Sequence, residues 1–241
     1  MFVLRSSTSQ HRRNMPTTRP TARLQKLIDD GAVIGLCVSG GLDSKSVAHR
    51  LNSAGAKVIC FCGDLGQPDE VDINDVITKM APCGTETVII DLKDQMAEGC
   101  FEAIMAQAKY DGGYWQSTGV GRWVTCLGLL RKMRERGVTC LAHGATGRGN
   151  DQMRFERYTN VLDPSFKVYA PWRDPELLEE FPGREQMLAY LAKHGISHEL
   201  PKTTKTYSTG AQHEERCVFR VCSEYGPSPN CVRVRGSMQL R

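Results

Sequence analysis

VIGLCVSGGLDSKSVAHRL, from Val33 to Leu51, decides the fold. Apolar and small residues lead into Ser39-Gly40-Gly41-Leu42-Asp43-Ser44, and an amphipathic stretch starts directly behind. That order reads as a strand, a glycine turn and a helix start. Backbone N–H groups in such a turn, followed by a helix N-terminus, form an anion site. Ser39 and Ser44 add hydroxyl donors, and Gly40 and Gly41 permit positive φ and a close approach. Asp43 cannot bind phosphate itself; an acid there suits a bound Mg²⁺ or a structural bond to the turn. A tight turn with Ser44 or Asp43 as the helix N-cap is the plainer alternative. The glycine spacing is neither that of a dinucleotide-binding turn nor that of the usual P-loop.

Working outward, strands are predicted over Val33–Val38, Lys57–Cys62, Glu86–Asp91, Val138–Ala142 and Lys167–Pro171. Helices are predicted over Ser44–Ala54, Val71–Met80, Gln95–Lys109, Arg122–Arg136 and Arg184–His194; Gly55, Gly137 and Gly195 stop the first, fourth and fifth. Alternation of this kind predicts an α/β fold with a doubly wound, mostly parallel sheet, whose ligands bind at the carboxyl ends of the strands. Three further stretches follow predicted strand ends or fill long connections. GDLGQPDE (Gly63 to Glu70) ends the second strand, and YDGGYWQSTGVGRW (Tyr110 to Trp123) precedes a helix. LAHGATGRGNDQMRFE (Leu141 to Glu156) reads as a glycine-rich loop after a strand. In it, Asp151 can accept from an amine, Asn150 can donate or accept, and Arg154 can clamp a carboxylate. An exposed ion pair between Asp151 and Arg154 is the competing reading.

The chain has 241 residues, 40% hydrophobic and 24% charged, with a net charge of +4. This charge is no nucleic-acid footprint. No apolar run approaches the ~18 residues of a membrane span, so neither nucleic acid nor membrane is expected as a partner. Ten cysteines are present, but no CxxC pair occurs, and Cys37, Cys126 and Cys140 sit in apolar runs where cysteine acts as a small hydrophobe. No metal centre is expected, and a reducing compartment is. Residues 1–30 are basic and rich in Ser, Thr and Arg, and are expected to be a disordered leader; its bias matches organelle transit peptides, which sets a mitochondrial or plastid address beside the cytoplasm.

SGGLDS after a hydrophobic strand resembles the pyrophosphate loop of the N-type ATP pyrophosphatases, whose HUP-type domain resembles the adenine nucleotide alpha hydrolase fold. The series SGGLDS, DLGQPDE, YWQSTGVGR, HGATGRGNDQMRFE and VYAPWRD resembles argininosuccinate synthase in order and spacing. The likeness covers about residues 31 to 209, through GREQMLAYLAKHGI and a final TYST. It implies ligation of citrulline to aspartate through citrullyl-adenylate, with release of pyrophosphate and AMP. ATP with Mg²⁺ is then a substrate, and no prosthetic group is implied.

Carried over by motif, the ATP-binding residues would be Cys37, Val38, Ser39, Gly40, Gly41, Leu42, Asp43, Ser44, Lys45, Gly63 and Gly144. Citrulline would meet Tyr114, Thr118, Asn150, Arg154 and Ser208, and aspartate would meet Thr146, Asn150 and Asp151. No residue is singled out for acid–base catalysis. Two departures stand out. Lys45 occupies a position where the family usually has a hydroxyl, and would either strengthen phosphate binding or spoil the helix start. After Thr209 the family pattern stops, so residues 210–241 read as a divergent tail, and the second domain, with the region that builds the family's homotetramer, has no counterpart. The alternatives are a truncated, non-catalytic nucleotide-binding isoform, or another N-type ATP pyrophosphatase that relies on a cysteine pair or a glutaminase partner.

Overall fold

A computed structural model describes residues 18–66, 72–110, 113, 115–147 and 149–198. Five strands, β1 (Val33–Cys37), β2 (Lys57–Asp64), β3 (Glu86–Asp91), β4 (Cys140–His143) and β5 (Lys167–Tyr169), form one sheet in the order β3-β2-β1-β4-β5. Every pairing is parallel. Side chains alternate across the sheet, so each strand feeds two cores. On one face Ile34, Leu36, Cys60 and Ala142 pack with α2 (Leu42–Ser53), α3 (Asp75–Met80) and α8 (Arg184–Lys193). On the other, Phe61 and Leu141 pack with α4 (Lys93–Met105), α5 (Ser117–Glu135) and α6 (Asn150–Leu162). The expected α/β architecture is therefore the observed one.

Several boundaries differ from expectation, each for a physical reason. Helix α1 (Ala22–Asp29) lies inside the stretch read as a leader to residue 30. Thr21 caps it through Leu24 N–H and donates to Asp174, while Ala22 N–H donates to Glu176. Those acids start α7 (Pro175–Glu180), which was not foreseen. Asp174 is buried and also accepts from the Tyr169 hydroxyl at 2.8 Å, so VYAPWRD serves the fold by tying α1 to the sheet edge. Residues 1–17 lie outside the described residues.

The stretch Asn150–Leu162 was read as loop up to Glu156 and is α6. Its buried Phe155 and Thr159 and its half-buried Tyr158 and Leu162 recur at helical spacing. Helix α5 begins five residues before the expected Arg122 because its glycines serve packing: a Cβ on Gly121 would lie 3.6 Å from Met96 Cε. Helix α3 is shorter than expected and runs into a 3₁₀ turn at Ala81–Cys83.

Of the seven described cysteines, all but Cys37 are buried. Among the described residues no helix is long and apolar enough to cross a membrane.

Gly35 lies in the central strand, where an added Cβ would meet Met133 Cε at 2.7 Å and Val138 Cγ1 at 2.9 Å. Both neighbours are buried, so neither can swing into solvent. The Gly35→Ala variant should lose about 1–3 kcal/mol of stability by overpacking, read as a lower urea midpoint at unchanged slope.

Candidate active site

The sheet's order reverses at β1. The chain winds from β1 through β2 to β3, then crosses back to place β4 on the other side of β1. The crevice over the carboxyl ends of β1 and β4 is where such a sheet takes its ligand. A cleft of about 330 Å³ opens there.

Its first wall is the glycine loop. Cys37, Val38, Ser39, Asp43 and Ser44 line it, and Gly40 and Gly41 complete the turn between them. Gly40 holds φ +74°, the left-handed value that favours glycine. Ser39 N–H donates to Ser44 Oγ at 3.0 Å, which closes the loop on itself. The N-cap of α2 is Gly41, not Ser44 or Asp43, and no side chain caps it. The first-turn N–H groups of α2 thus carry the positive end of the helix toward the cleft. Burial pushes the Asp43 carboxyl above its ordinary pKa, opposed by its own backbone N–H and by the charges of Arg184 and His198.

Two residues of this segment act differently from expectation. The Leu42 side chain is buried in the core, so only its backbone can serve a ligand. Lys45 is 7% exposed, and its ammonium donates to the Ser197 carbonyl at 2.9 Å, behind α2. Its N–H is bonded to the Gly41 carbonyl within the helix. The start of α2 is intact, and the Lys45 side chain ties that helix to the chain after α8.

The second wall comes from the ends of β2 and β4 and the start of α6. Gly63, Gly144, Thr146 and Asp151 line it, together with Cys62, Leu65, Arg122, Thr125, His143, Ala145 and Phe155, which the sequence reading did not assign. Gly149 caps α6 in extended geometry, and its N–H donates to the Thr146 carbonyl at 3.2 Å. Gly147 leaves no room for a side chain: a Cβ there would lie 2.5 Å from the Trp172 carbonyl oxygen.

Asp151 sits between two arginines. One carboxylate oxygen accepts from Arg122 Nη2 at 3.0 Å, and the other from Arg154 Nη1 at 2.9 Å. Arg154 also donates to the Tyr110 hydroxyl at 2.8 Å. Burial works to lower the Arg154 pKa, but its hydrogen bond to Asp151 carries the guanidinium above its ordinary value. The ion pair of the competing reading is present, and its carboxylate also lines the cleft. Arg122 was legible, because a helix starting near Thr118 puts Arg122 one turn further on the same face.

Not every expected residue reaches this cleft. Asn150 and Arg154 line a neighbouring depression with Trp123 and Tyr158. Thr118 is half-buried in the first turn of α5. Tyr114 and Ser208 lie outside the described residues.

His143 ends β4 fully buried, stacked on Phe155 with ring centroids 5.0 Å apart. Neither ring nitrogen has a partner among the described residues, and burial lowers its pKa to about 4. Burial also holds the Cys37 thiol up at about 11, so it is protonated at neutral pH and no poised nucleophile.

With this geometry in place, residues 33–197 match the family described as Arginosuccinate synthase N-terminal HUP domain. The chain belongs to the argininosuccinate synthase family. The matching model is that of the family's N-terminal HUP domain, in keeping with the five-stranded parallel sheet. A solved structure described as a predicted subunit of tRNA methyltransferase from Methanocaldococcus jannaschii is also similar. It aligns over 83% of this chain and 91% of its own, at 14% identity and a TM-score of 0.47.

Two outcomes follow from these contacts. His143 is neutral in the fold and more basic once unfolded, so the unfolded state takes up the extra proton. Stability should be full above about pH 6.5 and fall as pH drops toward 4, by up to about 3 kcal/mol from this group. Urea titrations across that window should show the slope, and His143→Gln should flatten it in part. Lys45→Met removes a charged hydrogen bond that anchors Ser197, and should cost about 1–3 kcal/mol in the same assay.

Proposed function

We propose that this chain binds MgATP at the Ser39–Ser44 loop and uses it to activate the ureido oxygen of citrulline for attack by aspartate. The observation that carries this reading is the shared cleft: the Asp151 carboxylate faces the same space as the glycine loop. A carboxylate there suits an amine substrate, and the N–H groups of a helix start there suit phosphate. The family assignment of residues 33–197 supports both halves of the reading.

In this scheme the ureido oxygen attacks the α-phosphorus, the bond to the bridging oxygen breaks, and pyrophosphate leaves. The aspartate amine then attacks the ureido carbon and displaces AMP. Ser39, Ser44 and the first turn of α2 hold the phosphates, and Asp43 is the loop's carboxylate for Mg²⁺. Gly63 and Gly144 give the nucleotide close walls. Asp151 accepts from the aspartate ammonium, with Thr146 beside it, and Arg122 faces the incoming carboxylates. Thr118, Asn150, Arg154, Tyr114 and Ser208 complete citrulline recognition. The unit that does this spans 31–209, with 210–241 outside it. Catalysis then rests on positioning and charge stabilisation. Burial raises the Cys60, Cys126 and Cys140 thiols to about 12 and the Cys83 thiol to about 11, so these four are protonated at neutral pH.

Gly41 gives a clean test. A Cβ there meets only the Ser39 hydroxyl, at 3.6 Å, so the fold accepts a side chain. Gly41→Val should fold, yet lose MgATP affinity by at least about tenfold, because branched methyls crowd the phosphate approach. Calorimetry reads the affinity, and wild-type pyrophosphate release should depend on citrulline. Unchanged ATP binding in a folded Gly41→Val protein would sink the nucleotide assignment. ATP binding without citrulline-dependent release would leave a nucleotide-binding chain without this chemistry.

A further inference from the structure

The glycine loop carries little positive charge of its own. Its side chains bring one carboxylate, Asp43, and the ammonium of Lys45 is committed to the Ser197 carbonyl. Across the cleft, Arg122 is engaged by Asp151. The first turn of α2 supplies about half a positive charge, against the several negative charges of a polyphosphate. MgATP remains net negative, so a cation from a neighbouring element adds to what Mg²⁺ supplies.

Helix α3 places one there. At Gly40 the left-handed turn brings the backbone against α3, so that a Cβ would lie 3.3 Å from Lys79 Cδ, 3.6 Å from Lys79 Cβ and 3.7 Å from Val76 Cα. The aliphatic stem of Lys79 therefore runs across the loop, and its ammonium sits two bonds beyond the atom that touches it. Lys79 is exposed, and among the described residues it makes no ion pair. A long stem packed on glycine with a solvated head is a side chain held in place with its charge still available. The charge of Arg184, at the start of α8, also acts on Asp43.

We propose that Lys79 is the cation that holds the β- and γ-phosphates of a nucleoside triphosphate over the glycine loop. When the bond between the α-phosphorus and the bridging oxygen breaks, its electron pair leaves with pyrophosphate, and the Lys79 ammonium neutralises that charge without giving up a proton. The proposal rests on the reading of the loop as a nucleotide site, and the test separates the two.

Calorimetry on the full chain would compare MgATP, magnesium pyrophosphate and AMP as titrants. Lys79→Met keeps the stem over Gly40 and removes the charge. It should weaken MgATP and pyrophosphate binding by about tenfold or more and leave AMP binding within about twofold. Lys79→Arg should restore most of the loss. Lys57→Met, at the amino end of β2, removes the same net charge at the far end of the sheet and should change nothing. If Lys79→Met binds ATP and pyrophosphate like wild type, the Lys79 assignment is wrong while the nucleotide site stands. Equal losses for AMP and ATP also overturn it, since they mark damage to the nucleoside or α-phosphate contacts. A wild-type chain that binds none of the three overturns the site reading and the Lys79 role with it.

Discussion

Strand β1 is hydrogen-bonded on both sides by parallel partners whose chain connections leave in opposite directions. Cys37 lies level with Phe61 on one side and with His143 on the other. Strands β1 and β4 therefore end level while β2 runs on to Asp64, and the segments that follow β1 and β4 must diverge around a common gap. The glycine loop leaves β1 toward one face, and the HGATG segment leaves β4 to start α6 on the other. Two loops about a hundred residues apart thus face one another without any direct bond being required between them.

The polar groups in this gap are largely satisfied by one another. Asp151 is shared by two guanidinium groups, and Arg154 is further held by Tyr110. A zwitterionic amino acid carries both kinds of charge, so it can replace an arginine on Asp151 with its ammonium and replace Asp151 on an arginine with its carboxylate. Such an exchange spares both partners the penalty of standing unpaired. Each pair is also partly solvated, so its net worth is modest and the exchange is not barred by a strong internal bond.

Strands were the most legible part of the sequence. Glu86–Asp91 has its expected bounds, and the glycine loop with its flanking strand and helix follows from the order of its residues, the helix starting two residues early at Leu42. Helix α6 was hidden by its motif: Gly147, Gly149, Asn150 and Asp151 look like a loop, and the periodicity of Phe155, Tyr158, Thr159 and Leu162 begins only afterwards. Helix α1 was hidden by its charge, because its hold on the domain comes from Asp174 and Glu176, some 150 residues away. The direction of Lys45 could not be read locally either. Which side of α2 faces the cleft depends on where α8 packs, and Ser197 follows α8. His143 carries no signal in the sequence, since burial without a partner shows only once the neighbours are in place.

The contact between Gly147 and Trp172 reaches further than the loop that contains it. The Trp172 backbone continues directly into Arg173 and Asp174, whose carbonyl and carboxylate receive Arg23 and Thr21 from the start of α1. The cleft-lining loop, the 3₁₀ turn at Pro171–Arg173 and the first helix form one stack of contacts, seated edge on edge. Any change that lets α1 lift from the sheet edge lets the Trp172 carbonyl retreat, and the floor on which Thr146 and Asp151 are levelled goes with it. The N-terminal helix, which touches no ligand, is in that sense a shim that sets the width of the cleft.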